Sequence, residues 1–308
     1  MRRPLAAILA VAAFAPAAAQ AAGFEVVGHR GARGLRPENT IAGFAEAVRV
    51  GATAVEADVV ITHDRHVVVS HERRLRPLQC TGPYEGRLIR TITLAQLWRM
   101  DCGTRHADGS LSRTQVAVPG SHMPALSQIL RLVRPSRRTR VIVELKLDPT
   151  LPRETFGTKA FAERVVATIR RERMVRRTTV QSFDWAGLRA VARLEPRLRL
   201  TALASTSTVY PHSPWLDGAY VRGDPFKGGL SGAVYRAGFD AVSPAAAQLT
   251  PELLYGAQSR GVEVIPYTVD SEARMRELIA MGVNGIVTDY PDRLRATARR
   301  MGVVIARR

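Results

Sequence analysis

The sequence predicts a single α/β catalytic domain, a (β/α)8 TIM barrel with an insertion after the second strand unit. Apolar runs of strand length alternate with segments of helical period, and the alternation makes eight units. Doubly wound sheets more often stop at five or six strands, so eight units favour a closed barrel. No internal repeat or low-complexity linker divides the 308 residues, a length that one barrel with an insertion accounts for.

The first strand spans 24–28 and a helix follows over 38–50. The second strand, 54–58, runs on through Ile61, turns at 63–65 and returns over 67–70. The stretch 73–124 has weak periodicity and holds both cysteines, and a helix over 125–133 closes the unit. Regular alternation follows: strand 140–147 with helix 159–173, strand 178–182 with helix 185–194, and strand 198–203 with helix 230–237 after a long loop. The last three units pair strand 240–243 with helix 251–260, strand 262–269 with helix 272–281, and strand 285–288 with helix 293–300.

The first 22 residues read as an address. Arg2 and Arg3 precede a short apolar run, Leu5 to Phe14, and small residues follow to Ala22. That order describes a cleaved secretory signal peptide, and the run is too short to span a bilayer. The expected domain is therefore 23–308, with the protein periplasmic or secreted. Cys80 and Cys102 are the two cysteines. An oxidising compartment lets such a pair close, and two buried free thiols are the alternative.

Composition excludes several classes. With 46% hydrophobic and 23% charged residues, the chain is neither disordered, nor collagen-like, nor a multi-span membrane protein. The formal charge of +18 comes mostly from arginine, since the lysines are Lys146, Lys159 and Lys227 alone. No dense basic run with interleaved aromatics is present, so no nucleic acid is expected as partner. Transient contact with an anionic membrane surface fits the charge.

Barrels place chemistry at the C-terminal ends of their strands. Polar residues there form one constellation. His29 and Arg30 follow the first strand. Glu56 and Asp58 sit on one side of the second, two residues apart, and His71 ends the returning strand. Glu144 and Lys146 mark the third unit, Gln181 the fourth, Tyr267 the seventh and Asp289 the eighth. Three carboxylates in one cavity repel unless a cation intervenes. A hard divalent ion suits oxygen ligands, with Ca²⁺ favoured and Mg²⁺ the alternative. Arg30 and Lys146 could hold a phosphate, and His29 and His71 could act as acid and base. Each part also has a plainer reading: Glu144 and Lys146 could be a core ion pair, and a lone strand-end carboxylate could serve only as a local hydrogen-bond acceptor.

Gly28-His29-Arg30-Gly31 followed by Arg36-Pro37-Glu38-Asn39-Thr40 resembles the signature of the glycerophosphodiester phosphodiesterase family. The resemblance continues through Glu56-Ala57-Asp58, Val67-Val68-Val69-Ser70-His71, Glu144-Leu145-Lys146, Pro266-Tyr267-Thr268-Val269 and Thr288-Asp289-Tyr290-Pro291-Asp292. It implies the same barrel and a metal-dependent hydrolysis of glycerophosphodiesters to sn-glycerol 3-phosphate and an alcohol. It also implies Glu56, Asp58 and Glu144 as metal ligands, His29 and His71 as the acid/base pair, and Arg30 and Lys146 as phosphate holders. Pro37-Glu38-Asn39-Thr40 would begin the first helix. Glu72, Tyr267 and Asp270 depart from the family's usual Asp, Trp and Asn. Two other readings stay open: a lysophospholipase-D or sphingomyelinase-D-like lipid phosphodiesterase, and a barrel that binds phosphodiesters without cleaving them. The loop 206–229 is expected to form a lid or pocket wall.

Overall fold

The computed structural model describes residues 23–104 and 113–306. The leader expected over 1–22 and His106 lie outside these residues.

Eight parallel strands form the barrel: β1 (Glu25–Gly28), β2 (Ala54–Ile61), β4 (Arg140–Leu145), β5 (Thr178–Ser182), β6 (Arg199–Ala204), β7 (Ala241–Pro244), β8 (Glu263–Val264) and β9 (Gly285–Thr288). The hydrogen-bonded path runs β8-β7-β6-β5-β4-β2-β1-β9, and β3 (Val67–Val69) adds to β2 antiparallel. The ends of the path meet through Asn284 N donating to Val264 O at 2.9 Å and Val287 N to Pro266 O at 3.0 Å. β8 is shorter than the expected 262–269. Pro266 has no N–H to give the ladder, and pairing resumes only at the bridge between Ala245 and Tyr267.

Inward-facing residues alternate along each strand and stack in layers. At the end where the strands begin, Arg140 pairs with Glu25 at 3.1 Å and Arg199 with Glu263 at 2.9 Å. Val27, Ala54, Ile142, Ile265 and Val287 form an apolar layer above them. Glu56, Asp58, Glu144 and Gln181 lie above that. The barrel is thus plugged, and its chemistry-bearing layer opens only toward the strand ends.

The helices are α1 (Ile41–Arg49), α2 (Leu94–Leu97), α3 (Leu126–Val133), α4 (Thr158–Arg171), α5 (Trp185–Leu194), α6 (Gly229–Arg236), α7 (Pro251–Gln258), α8 (Glu272–Met281) and α9 (Pro291–Arg300). Their apolar stripes cover the outside of the sheet. In α3 the buried residues are Leu126, Ile129, Leu130 and Val133, the spacing of one helical face. The first helix starts at Ile41 rather than 38, because Thr40 caps it by accepting from Gly43 N. The last starts at Pro291, earlier than the expected 293, because proline suits the first helical turn, where no N–H is needed.

The segment 73–124 builds a small core of its own. Leu75, Ile89, Ile92, Leu97 and Met100 pack with Val60 and Val68 of the β2–β3 pair, and a Cys80–Cys102 disulfide lies within it.

Candidate active site

Strand register gathers the carboxylates. Asp58 of β2 stands opposite Glu144 of β4, and Glu144 opposite Gln181 of β5. Glu56 lies two residues before Asp58, on the same side. One oxygen from each of Glu56, Asp58 and Glu144 lies within 4.8 Å of the others, and all three residues are buried. Glu56 Oε2 accepts from Arg30 N at 2.9 Å, while Oε1 is buried without a hydrogen-bond partner. An orphaned carboxylate oxygen beside two more carboxylates is costly unless a cation comes to it. The donor set, oxygens alone, fits a hard divalent ion.

The loop after β1 carries His29 and Arg30, and two glycines allow its shape. A Cβ on Gly28 would meet Gly31 O at 2.1 Å, and Gly31 itself has φ +89°. Arg30 and Asn39 adopt left-handed φ of 51° and 55°. Such φ values are uncommon for non-glycine residues and tend to occur where surrounding contacts fix the backbone. Here Asn39 N donates to Arg30 O at 3.0 Å and Asn39 Nδ2 to Asp58 Oδ2 at 3.1 Å.

Both histidines are held by carboxylates. His29 Nδ1 lies 2.6 Å from Asp289 Oδ1, and His71 Nδ1 lies 3.1 Å from Glu72 Oε1. The longer Glu72 side chain therefore still reaches its histidine. Each contact leaves Nε2 as the ring nitrogen available to a ligand. Although burial opposes ionisation of Asp289, the His29 hydrogen bond and the charges of Arg33 and Arg30 hold its pKa below the usual carboxylate range.

Arg30 Nη1 donates to both oxygens of Glu38, at 2.9 and 3.0 Å, and its Nε lies 3.4 Å from Asp58. Glu38 also accepts from Arg33. Glu38, expected to open the first helix, instead precedes it and anchors Arg30. Lys146 Nζ donates to Glu144 Oε1 at 2.6 Å and lies 3.5 Å from Asp58 Oδ1. The ion pair anticipated as the plainer reading is formed, and it borders the cavity rather than the core.

The charges sort the carboxylates. Burial, then repulsion from Asp58 and Glu144, raises the Glu56 pKa well above the ordinary value. Burial pushes Asp58 the same way, but Lys146, His71 and Arg30 overcome it and hold Asp58 far below. Burial would lower the Lys146 pKa, yet Glu144 and Asp58 keep it raised.

A cavity of about 160 Å³ is lined by His29, Arg30, Glu56, Asp58, His71, Glu144 and Lys146, with Gln181, Phe183 and Tyr267 on the other side. The seven residues expected from the sequence thus share one cavity. Among the residues not singled out as site members, Glu38 and Asn39 hold Arg30 and Asp58, and the quoted Pro-Glu-Asn-Thr run was the available signal. The loop 206–229 reaches this region through Trp215, edge-on to Phe183 at 6.2 Å, while Tyr210 and Tyr220 line a separate cavity. His63, His66 and His212 are exposed.

A phosphodiester brings one negative charge and needs proton traffic at the entering and leaving oxygens. This mouth supplies cations, an unfilled carboxylate set and two tethered histidines, which places the protein among the barrel phosphodiesterases. The chain belongs to the glycerophosphoryl diester phosphodiesterase family, whose model matches residues 29–293, and its reaction is the hydrolysis of glycerophosphodiesters. A glycerophosphodiester phosphodiesterase of Caldanaerobacter subterraneus is 27% identical, the match covering 90% of this chain and 98% of the relative. A Silicibacter pomeroyi protein, provisionally named a glycerophosphoryl diester phosphodiesterase, has a crystal structure 32% identical with a TM-score of 0.79, over 92% of this chain and 95% of that one. An Oleispira antarctica phosphodiesterase, solved with the product sn-glycerol-3-phosphate, shares the fold at a TM-score of 0.70 and 19% identity, over 91% and 99% of the two chains.

Proposed function

We propose that Glu56, Asp58 and Glu144 hold one divalent cation, Ca²⁺ in preference to Mg²⁺, and that the products are sn-glycerol 3-phosphate and a free alcohol. The observation that carries the cation is the buried, unpartnered Oε1 of Glu56 beside two further carboxylates. When bound, the ion would neutralise charge on the phosphate and lower the pKa of an oxygen nucleophile.

The chain's own residues do the rest. Arg30, fixed by Glu38, presents a planar cation to the phosphate oxygens. Lys146 adds a second charge and pairs with Asp58 and Glu144. His29 and His71 divide the proton work at Nε2, one removing the nucleophile's proton and the other protonating the leaving alkoxide. The Asp289 and Glu72 carboxylates orient the rings and stabilise whichever is protonated. Phe183 and Tyr267 form the less polar wall against which the organic part of the substrate rests. We further propose that the protein works outside the cytoplasm, a reading that the Cys80–Cys102 bond supports because such bonds persist in oxidising compartments.

Phosphorus NMR of reactions with glycerophosphocholine and with lysophosphatidylcholine tests this reading. Glycerol 3-phosphate from the first, at a rate at least about tenfold above the second's turnover, supports it. Preferential turnover of lysophosphatidylcholine would move the function to lipid phosphodiesters. Binding of both without turnover would make the protein a phosphodiester binder.

A further inference from the structure

The face opposite the active site has its own charge pattern. In this fold the helices run back against the strands, so their C-termini gather where the strands begin. Helix dipoles favour cations there, and Arg131, Arg170, Arg193, Arg236 and Arg299 occupy last turns. The dipole does not explain the connections beyond the helices, where exposed Arg137, Arg138, Arg173 and Arg176 stand. Among the described residues most carboxylates at this end are in ion pairs, and exposed Asp240 accepts from Leu200 N at 2.8 Å. Glu172 pairs with Arg131, Glu195 with Arg170 and Arg197, Glu25 with Arg140, and Glu263 with Arg199. Among the described residues, Arg138 and Arg299 form no ion pair.

Arg138, Arg295 and Arg299 line one cavity of about 540 Å³, with Ser136 and Thr139, and among the described residues no carboxylate side chain lines it. Burial, and then the charge of Arg299, lowers the Arg295 pKa, and Arg295 Nη1 donates to Gly51 O at 2.9 Å. The opposite wall is aliphatic. Val303 and Val304 separate this cavity from a second, of about 580 Å³, lined also by Met301 and Ile279. Val304 is 73% exposed and Met301 37%.

We propose that this face is a docking site for an anionic phospholipid surface, with the lipid phosphates taken by Arg138, Arg295 and Arg299 and the Val304 ridge entering the headgroup layer. Arginines near such a surface attract it electrostatically, and an aliphatic side chain gains by burial there. A nucleic-acid backbone would use the same charges but would gain nothing from an exposed aliphatic ridge, and among the described residues no aromatic side chain lines the arginine cavity for stacking. Docked in this way, the barrel keeps its catalytic mouth toward water and open to soluble diesters. The inference stands independently of the reaction.

The test is flotation of the purified protein with vesicles of neutral phosphatidylcholine, and of phosphatidylcholine mixed with phosphatidylglycerol, at low and moderate salt. Binding is expected to the mixed vesicles only, and to weaken with salt. Arg138→Glu with Arg299→Glu should weaken it about tenfold or more. Val304→Asp should weaken it severalfold, and both variants should keep solution hydrolysis of a glycerophosphodiester. Saturating vesicles should leave that hydrolysis within about twofold, because the mouth faces away from the bilayer. Equal binding to neutral vesicles, or variants that bind as the parent does, would overturn the proposal. So would loss of most activity on docking. Binding of an RNA oligomer that the arginine variants abolish, with no vesicle binding, would transfer the face to nucleic acid.

Discussion

Asp289 is where the site's geometry makes its sharpest demand. Its Oδ1 lies 2.6 Å from His29 Nδ1 and its side chain is 4% exposed, so water cannot replace the contact. Asp289→Asn keeps the shape and removes the charge. A hydrogen bond to a charged partner contributes about 1.5–3 kcal/mol. If His29 carries positive charge in the transition state, that loss appears in kcat as a factor of about 10–150. Asp289 does not line the cavity, so KM should change by less than about threefold. Glu72→Gln is the internal comparison. Its contact with His71 is 3.1 Å and its side chain 28% exposed, and water can take its place. Its cost should stay below about tenfold. Steady-state kinetics with glycerophosphocholine at one fixed pH reads both variants. A kcat for Asp289→Asn within about twofold of the parent, or a larger loss for Glu72→Gln, would refute the reasoning.

Four further outcomes are expected. His29→Ala and His71→Ala should each lower kcat by about 10²–10⁴, measured in the same assay; full activity in both would remove the acid/base assignment. Asp184 caps α5 and burial raises its pKa to about 6. A raised carboxyl pKa contributes stability that is complete below the unfolded value of 3.8 and is lost as pH rises through about 6. Asp184→Asn, which keeps a capping oxygen, should therefore raise the melting temperature at pH 7.5 and not at pH 3.5, and an equal shift at both would contradict the burial argument. Reduction of Cys80–Cys102, which closes a loop of 22 positions, should cost roughly 3 kcal/mol by denaturant unfolding, and an unchanged midpoint would show that the small core of 73–124 does not depend on it. Glu25→Ala removes the carboxylate that Arg140 Nη1 reaches at 3.1 Å, leaves its Nη2 on Thr179 Oγ1, and should cost about 1.5–3 kcal/mol in the same measurement, with catalysis at the far end unaffected.

Much of this was legible in the sequence because the barrel repeats a simple rule. Apolar runs marked the strands, and parity put Glu56 and Asp58 on one side of theirs, while the register brought Glu144 opposite Asp58. Proline and capping residues moved the element ends by a few positions, as at Ile41 and in β8. The ionic floor of Glu25, Arg140, Arg199 and Glu263 was not legible, since each is an ordinary charged residue at a strand start and only closure of the barrel brings them together. Glu38 was misplaced for a similar reason. A carboxylate just before a helix reads as a helix-dipole contact, while the left-handed turns at Arg30 and Asn39 send it to Arg30 instead. The loop 206–229 has the length of a pocket wall, yet its Tyr210 and Tyr220 face a different cavity. Length and composition do not fix the direction in which a loop folds.

The most direct measurement is the rate of glycerol 3-phosphate release from glycerophosphocholine after chelation and after returning Ca²⁺ or Mg²⁺, for the parent and for Glu56→Gln side by side. We expect release to cease on chelation, to return with one of the two ions in the parent, and to return weakly or not at all in the variant. Turnover that survives chelation, or a variant whose ion dependence matches the parent's, would contradict a cation held by Glu56, Asp58 and Glu144.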